Sequence, residues 1–185
     1  MDIIDIDTFI IISPSEVGKN LNTLIGQKLQ NTYVNKCIKK YGYIIEIKEF
    51  SHDNNILISR VNQYMYLKCQ VKMLTITPKI GEIYYGTVQI VYPQGIFISL
   101  MNIFDTLVPF EYLKREGYTF QNGYFINDKN VVIKQGGIIN VKIIDIHYDK
   151  KNFNCIAELI SEEALMSQLI DTNKIEEDDE VVNEN

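Results

Sequence analysis

The chain has 185 residues, 46% of them hydrophobic, with a formal net charge of −6 and three cysteines. That length holds one large domain or two small ones, and the composition is that of an ordinary globular chain. Cys37, Cys69 and Cys155 are odd in number and far apart, and only His52 and His147 accompany them, which excludes a disulfide framework and argues against a structural zinc site. No apolar run approaches the ~20 residues that cross a bilayer, and Asp2, Asp5 and Asp7 stand where a signal peptide would be basic. A soluble protein of a reducing, intracellular compartment is expected, without membrane contact. The charge is unevenly placed. Residues 1–79 carry 10 basic and 7 acidic side chains, residues 80–160 carry 7 and 8, and residues 161–185 carry 1 and 9. The acidity therefore belongs to the tail, and the rest is close to neutral. A near-neutral body is not the footprint of a protein that grips duplex DNA by its phosphates.

In chain order, residues 3–12 alternate and then run apolar, as a strand entering a sheet does. Ser13-Pro14-Ser15-Glu16 then reads as a helix start, with Ser13 as cap, Pro14 as first helical residue and Glu16 three after the cap. Val17, Leu21, Leu24, Ile25 and Leu29 follow at helical spacing to about Gln30. Gly18 weakens the first turn, and either another backbone comes close there or the regular helix begins after it. Thr32 to Ile38 reads as a strand, Lys39-Lys40-Tyr41-Gly42 as a turn, and Tyr43 to Phe50 as the next strand. Ser51 to Asn55 has turn chemistry throughout. Ile56 to Ile76 reads as one or two further strands broken near Asn62, and Thr77-Pro78 ends this half. A helix laid on an antiparallel sheet is expected, because neither buries its apolar face alone.

From Gly81 to Pro109 the pattern changes. Tyr84, Gly86, Val88 and Ile90 fall on one face of an extended segment, and Tyr85, Thr87 and Gln89 on the other. After a Pro-Gln-Gly turn, Ile96, Ile98 and Leu100 share a face and leave Phe97 and Ser99 opposite. Gly86 marks a tight bend or a close backbone approach. Small and bulky inward residues together suit the first half of a small five-stranded barrel of the oligonucleotide-binding class. Such barrels hold single strands by stacking bases on outward aromatic rings. Tyr85 and Phe97 fit that use, and the competing reading is that the rings pack beneath an insertion at 116–135. Phe110 to Arg115 predicts a short helix. Asn122-Gly123 predicts a hairpin turn, and Asp128-Lys129-Asn130 a second turn. Ile138 to His147 and Phe153 to Ile160 supply the last two strands. Leu165 and Leu169 hint at helical turns, and an acidic, disordered tail is expected from Asp171. No phosphate-cradling loop, nucleophile motif or metal-ligand spacing is present, so neither catalytic residues nor a cofactor are expected.

Two sets of motifs resemble a known family. Gly86-x-Val88, then Gly95-x-Phe97-Ile98-x-Leu100, then Asp105-x-Leu107-Val108-Pro109, resemble an S1-type RNA-binding domain. Many such domains have an aromatic residue where this chain has Gln94 and a histidine where it has Pro109, which implies weak, unselective RNA contact. Upstream, Pro14-x-x-x-Gly18-x-Asn20-Leu21, Val34-x-x-Cys37 and Lys40-Tyr41-Gly42-Tyr43-Ile44-Ile45 resemble the N-terminal domain of the RNA polymerase stalk subunit. That family comprises the seventh subunit of eukaryotic RNA polymerase II and its E-type counterpart in the archaeal enzyme. The resemblance covers about residues 6–160. It implies an α+β docking domain over 1–79 (helix on antiparallel sheet), an all-β five-stranded S1/OB-type barrel over 80–160, and a tail over 161–185. It implies a non-catalytic subunit supporting initiation, with RNA polymerase core subunits, a small helical stalk subunit and nascent single-stranded RNA as partners. Gly18, Lys19, Asn20, Lys40, Tyr41 and Gly42 would dock on the core. Tyr85, Phe97, Ser99 and Lys142 would face RNA. A free-standing S1 RNA-binding protein and the corresponding subunits of polymerases I and III remain alternatives. The richness in Ile, Asn, Lys and Tyr fits an AT-rich genome, that of a large DNA virus or a protist. The expected site is the nucleus for a cellular protein, and cytoplasmic factories or virions for a viral one.

Overall fold

The computed structural model describes residues 1–18 and 20–161. The chain divides into two compact units, one of Met1–Thr77 with Tyr148–Asn152, the other of Pro78–His147 with Phe153 onward. The helical hints at Leu165 and Leu169, and the disorder expected from Asp171, lie outside the described residues.

The first unit is a helix on a four-stranded antiparallel sheet. Its strands are β1 (Asp2–Ile12), β2 (Lys36–Ile38), β3 (Gly42–Ile58) and β4 (Met65–Ile76), ordered β1-β4-β3-β2. Helix α1 (Leu21–Tyr33) buries Leu24, Ile25 and Leu29 against Ile6, Ile10, Ile44, Leu67, Val71 and Met73. The Ser13–Glu16 signal is real but starts only a single 3-10 turn over Pro14–Glu16. Glu16 accepts from the Ser13 N–H at 2.8 Å and from its hydroxyl at 2.9 Å, and pairs with Lys28 at 2.9 Å. The Lys28 ammonium, joined by the Ser13 N–H, lowers the Glu16 carboxyl to about 2. Gly18 then turns to φ +94°, and Asn20 caps α1 by accepting from the Thr23 N–H at 3.1 Å. Val17 is therefore off the apolar stripe and 63% exposed. At its other end α1 outruns Gln30 and reaches Tyr33, so β2 is shorter than the Thr32–Ile38 strand expected. Lys36 Nζ donates to the carbonyls of Asn31 and Thr32, satisfying helix-end acceptors that would otherwise lack partners.

Ser51–Asn55 is not a turn. His52 pairs with Cys69 and Ile56 with Leu67, so four steps along β3 meet two along β4 and the extra residues bulge out. Turn-forming residues here mark an irregular point in a long strand. The chain reverses later, where the Ser59 N–H donates to the Tyr64 carbonyl at 2.9 Å. Gly42 opens β3 at φ +86°, and a Cβ there would lie 2.6 Å from the Ile76 carbonyl oxygen. Only glycine meets both conditions.

The second unit is a five-stranded barrel carrying an insertion. In chain order its elements are β5 (Ile83–Tyr92), β6 (Gly95–Leu100), β7 (Phe104–Pro109), helix α2 (Phe110–Arg115), β8 (Thr119–Gln121), β9 (Tyr124–Ile126), β10 (Val132–Ile133), β11 (Ile138–Asp149) and β12 (Asn152–Leu159). The barrel is closed, in the order β11-β12-β7-β6-β5. Strands β7 and β12 run parallel, and the β5–β11 pairing closes the ring. The core holds Val88, Ile96, Ile98, Leu100, Phe104, Val108, Val141, Ile143, Cys155 and Ala157. At Gly86 an added Cβ would approach Leu100 Cδ2 to 2.8 Å and Ile98 Cδ1 to 3.1 Å, the close approach anticipated there. Helix α2 follows β7 as expected. The insertion forms a three-stranded sheet of β8, β9 and β10, one strand more than the predicted hairpin. Asn122 and Gly123 make its turn at φ +47° and +88°. Phe125 is fully buried between Phe110 and Phe120, with ring centroids 5.9 and 5.3 Å away. The insertion is thus anchored by its own aromatic cluster.

Candidate nucleic-acid interface and docking segments

Alternation along β6 turns Phe97 and Ser99 outward, and Tyr85 and Thr87 point the same way from β5. Tyr85 is 66% exposed and Phe97 42%, so neither is sealed beneath the insertion. They are not side by side, however. Gly86 pairs with Leu100, so Tyr85 lies level with Met101, four residues along β6 from Phe97, or about 13 Å. Thr87 and Ser99 pair directly between them.

The register also corrects Ile90. Val88 pairs with Ile98, but Phe97 is met by Ile90, so Gln89 is an extra residue in β5. One inserted residue reverses the alternation beyond it. Ile90, expected inside, is 44% exposed, and Tyr92 follows it outward at 47%. The sequence signal was the adjacent apolar pair Ile90-Val91, which cannot both face inward in a regular strand.

The outward side chains fall into rows set by the pairings. Ile90, Phe97, Leu107 and Ile156 make an apolar row across β5, β6, β7 and β12. Beside it Thr87, Ser99, Asp105 and Asn154 make a polar row. Lys142 sits on β11 opposite Ile83, with its ammonium 4.0 Å from Glu158. Its charge is partly neutralised by that carboxylate, two residues along β12 from Ile156. At the foot of β5 the Tyr84 hydroxyl donates to Glu82 at 2.6 Å, and burial with that carboxylate pushes the phenol up to about 12.

The six docking candidates lie in the first unit and fall into two separate groups. Gly18 and Asn20 follow Ile12, which is level with Met65 and Ile58 at one end of the sheet. Lys19 lies outside the described residues. Lys40, Tyr41 and Gly42 precede Tyr43, which pairs with Ile76 at the other end, roughly 30 Å away along the strands. Lys40 is exposed with its ammonium 5.1 Å from the Tyr41 ring centroid, whereas Tyr41 is partly buried against the core. Among the described residues no group of three His, Cys, Asp or Glu side chains is placed to hold a metal ion, and no helix is long and apolar enough to cross a membrane.

Comparison with known proteins joins the two units. Residues 8–61 match the family described as the SHS2 domain found in the N terminus of Rpb7p/Rpc25p/MJ0397, and residues 77–155 match the S1 RNA binding domain. The DNA-directed RNA polymerase subunit Rpo7 of Saccharolobus solfataricus is 25% identical over 138 residues, covering 73% of this chain and 76% of that subunit. Rpo7 of Saccharolobus shibatae matches to the same extent. Both domain matches and both Rpo7 relatives make the chain similar to the RNA polymerase stalk subunits. A polyribonucleotide nucleotidyltransferase from Rickettsia akari is 28% identical over 155 residues, but the match spans only 20% of that enzyme. The α+β domain and the S1 barrel therefore stand in the order that the resemblance implies.

Proposed function

We propose that this protein is a non-catalytic subunit of a DNA-directed RNA polymerase, forming a stalk whose first unit docks on the core and whose barrel contacts nascent RNA. The observation that carries the reading is the succession, in one chain, of an Rpb7-type N-terminal domain and an S1 domain, matched over 73% of its length by archaeal Rpo7. The mechanism is mechanical. The docked unit sits at the base of the clamp and biases it toward closure, and the barrel lies near RNA exit. Because Gly18–Asn20 and Lys40–Gly42 leave opposite ends of the sheet, they act as two contacts on different core surfaces. A small helical stalk subunit is the second partner where the source encodes one. The near-neutral barrel suits transient contact with transcript.

Affinity purification of the tagged protein from its source cells, washed at high salt, tests the reading. Stoichiometric large polymerase subunits are expected, and their identity places the protein in nucleus or viral factory. RNA and ribosomal proteins alone would replace the stalk by a free-standing RNA-binding protein. Lys40→Glu with Tyr41→Ala is expected to weaken core association. Unchanged association would remove the turn from the docking surface.

A further inference from the structure

Among the described residues of the second unit, the two most exposed large apolar side chains are neighbours. Ile138 is 73% exposed and Tyr85 66%. Ile138 pairs with Thr87 and Asn140 with Tyr85, which makes Ile138 and Tyr85 diagonal neighbours on one outer face, roughly 7 Å apart. Apolar surface placed this way is costly in water. The chain itself passes the edge of this patch. Strand β12 returns alongside β11, and the Ile160 N–H donates to the Asn140 carbonyl at 3.0 Å, in line with Tyr85. Leaving Ile160, the chain therefore heads toward Ile138, about 8 Å further on. Ser161–Ala164 then lead to an apolar cluster of Leu165, Met166, Leu169 and Ile170. Its i, i+4 spacing is that of a helical stripe. Acidic residues surround the cluster in the sequence, with Glu162 and Glu163 before it and Glu176–Glu180 after it.

We propose that residues 162–170 fold back onto the barrel, where Leu165, Met166, Leu169 and Ile170 cover Ile138 and Tyr85. The occupant is this chain's own tail because of where the tail begins. A tether of four residues, Ser161–Ala164, holds the cluster at about millimolar effective concentration beside the patch, so even a weak apolar contact forms. Charge favours the same seating. Lys134 stands exposed in the turn that leads to Ile138 and offers a cation to Glu162 and Glu163. The contact has a consequence for the outer face. With the cluster seated, the acidic run Glu176–Glu180 is tethered beside the Tyr85 end and repels polyanions from it. That consequence rests on the reading that the barrel contacts RNA, whereas the contact itself does not.

The chain contains no tryptophan, so Tyr85→Trp places a single fluorescent reporter in the full-length protein. Under the cover its emission is blue-shifted, and the neutral quencher acrylamide reaches it poorly. Adding Leu165→Ser with Leu169→Ser should red-shift the emission and raise acrylamide quenching about two-fold, as the ring returns to solvent. Ile138→Asp should do the same from the barrel side, and Lys134→Glu to a smaller degree. Ile138 and Lys134 are exposed, and unchanged thermal melting of the variants establishes that the barrel still folds. The reporter should respond equally at every protein concentration. Emission and quenching that ignore the tail substitutions would overturn the proposal and leave the patch to a partner protein. A blue shift that appears only as the protein is concentrated would overturn it in favour of a second copy. The consequence is read separately, on the chain with native Tyr85. There Leu165→Ser with Leu169→Ser should tighten binding of a short single-stranded RNA roughly two- to three-fold at low salt. If the reporter responds but neither chain binds RNA, the cover stands and the RNA-contact reading fails.

Discussion

In the first unit one helix shields one face of a four-stranded sheet, and the other face keeps Ile3, Phe9 and Ile11 in solvent. The barrel instead closes on itself, so its core is lined from all five strands and no strand edge of the ring is left open. The two solutions leave different surfaces. The first unit ends in loops that reach out at opposite ends of the sheet, as suits docking on a large body. The barrel presents one continuous outer sheet whose rows alternate apolar and polar, as suits an extended strand. The face proposed to meet RNA is fixed by register, whereas the segments proposed to dock are placed by the first unit's turns.

The contrast is broken or sharpened by substitutions in each unit. Leu29→Ala removes a fully buried side chain from the helix–sheet core and should cost about 2–5 kcal/mol. Hydrogen exchange should rise in β1–β4 while β5–β7 keep their protection. Equal loss in both units would make them one cooperative block. Gly86→Val forces a side chain against Leu100 and Ile98 and should cost about 1–3 kcal/mol, with the exchange pattern reversed. Gly42→Ala meets the Ile76 carbonyl at positive φ and should cost a similar ~1–3 kcal/mol, read by denaturant melting. Wild-type stability would mean that the turn relaxes, and would weaken the view of it as a rigid projection.

Smaller effects come from charge. The Glu16 carboxyl is depressed from 4.5 to about 2 by Lys28 and Ser13, so its stabilising contribution is present above pH 4.5 and is lost as pH falls toward 2. Glu16→Gln should lower the melting temperature near neutrality, and the difference from wild type should close in acid. A constant difference would mean that Glu16 acts through packing and not through its charge. Lys142→Ala should change barrel stability by only about 0–1 kcal/mol, because its pair with Glu158 is long and partly exposed. A large loss of RNA affinity in that variant would place Lys142 on the RNA-contacting face.

Legibility differed between the units for a physical reason. Barrel strands alternate, so Ile96, Ile98 and Leu100 read correctly as inward and Phe97 and Ser99 as outward. Asn122-Gly123 read correctly because the φ > 0 turn admits few other residues. In the first unit Ser51–Asn55 had the residue types of a turn, yet β4 continued to offer hydrogen-bonding partners and the strand ran on. Ser13–Glu16 had a helix start, but Gly18 broke it and Asn20 supplied a second one.

The amino-acid sequence by itself determined the order of the elements, the two-part organisation and the family resemblance, because alternation, caps and glycine turns are local consequences of side-chain type. Only the tertiary structure decided which residues share a surface. The phase of β5 past Gln89, the distance from Tyr85 to Phe97 and the separation of the docking segments depend on strand pairing. Pairing is a property of two segments distant in the chain, so neither segment encodes it alone.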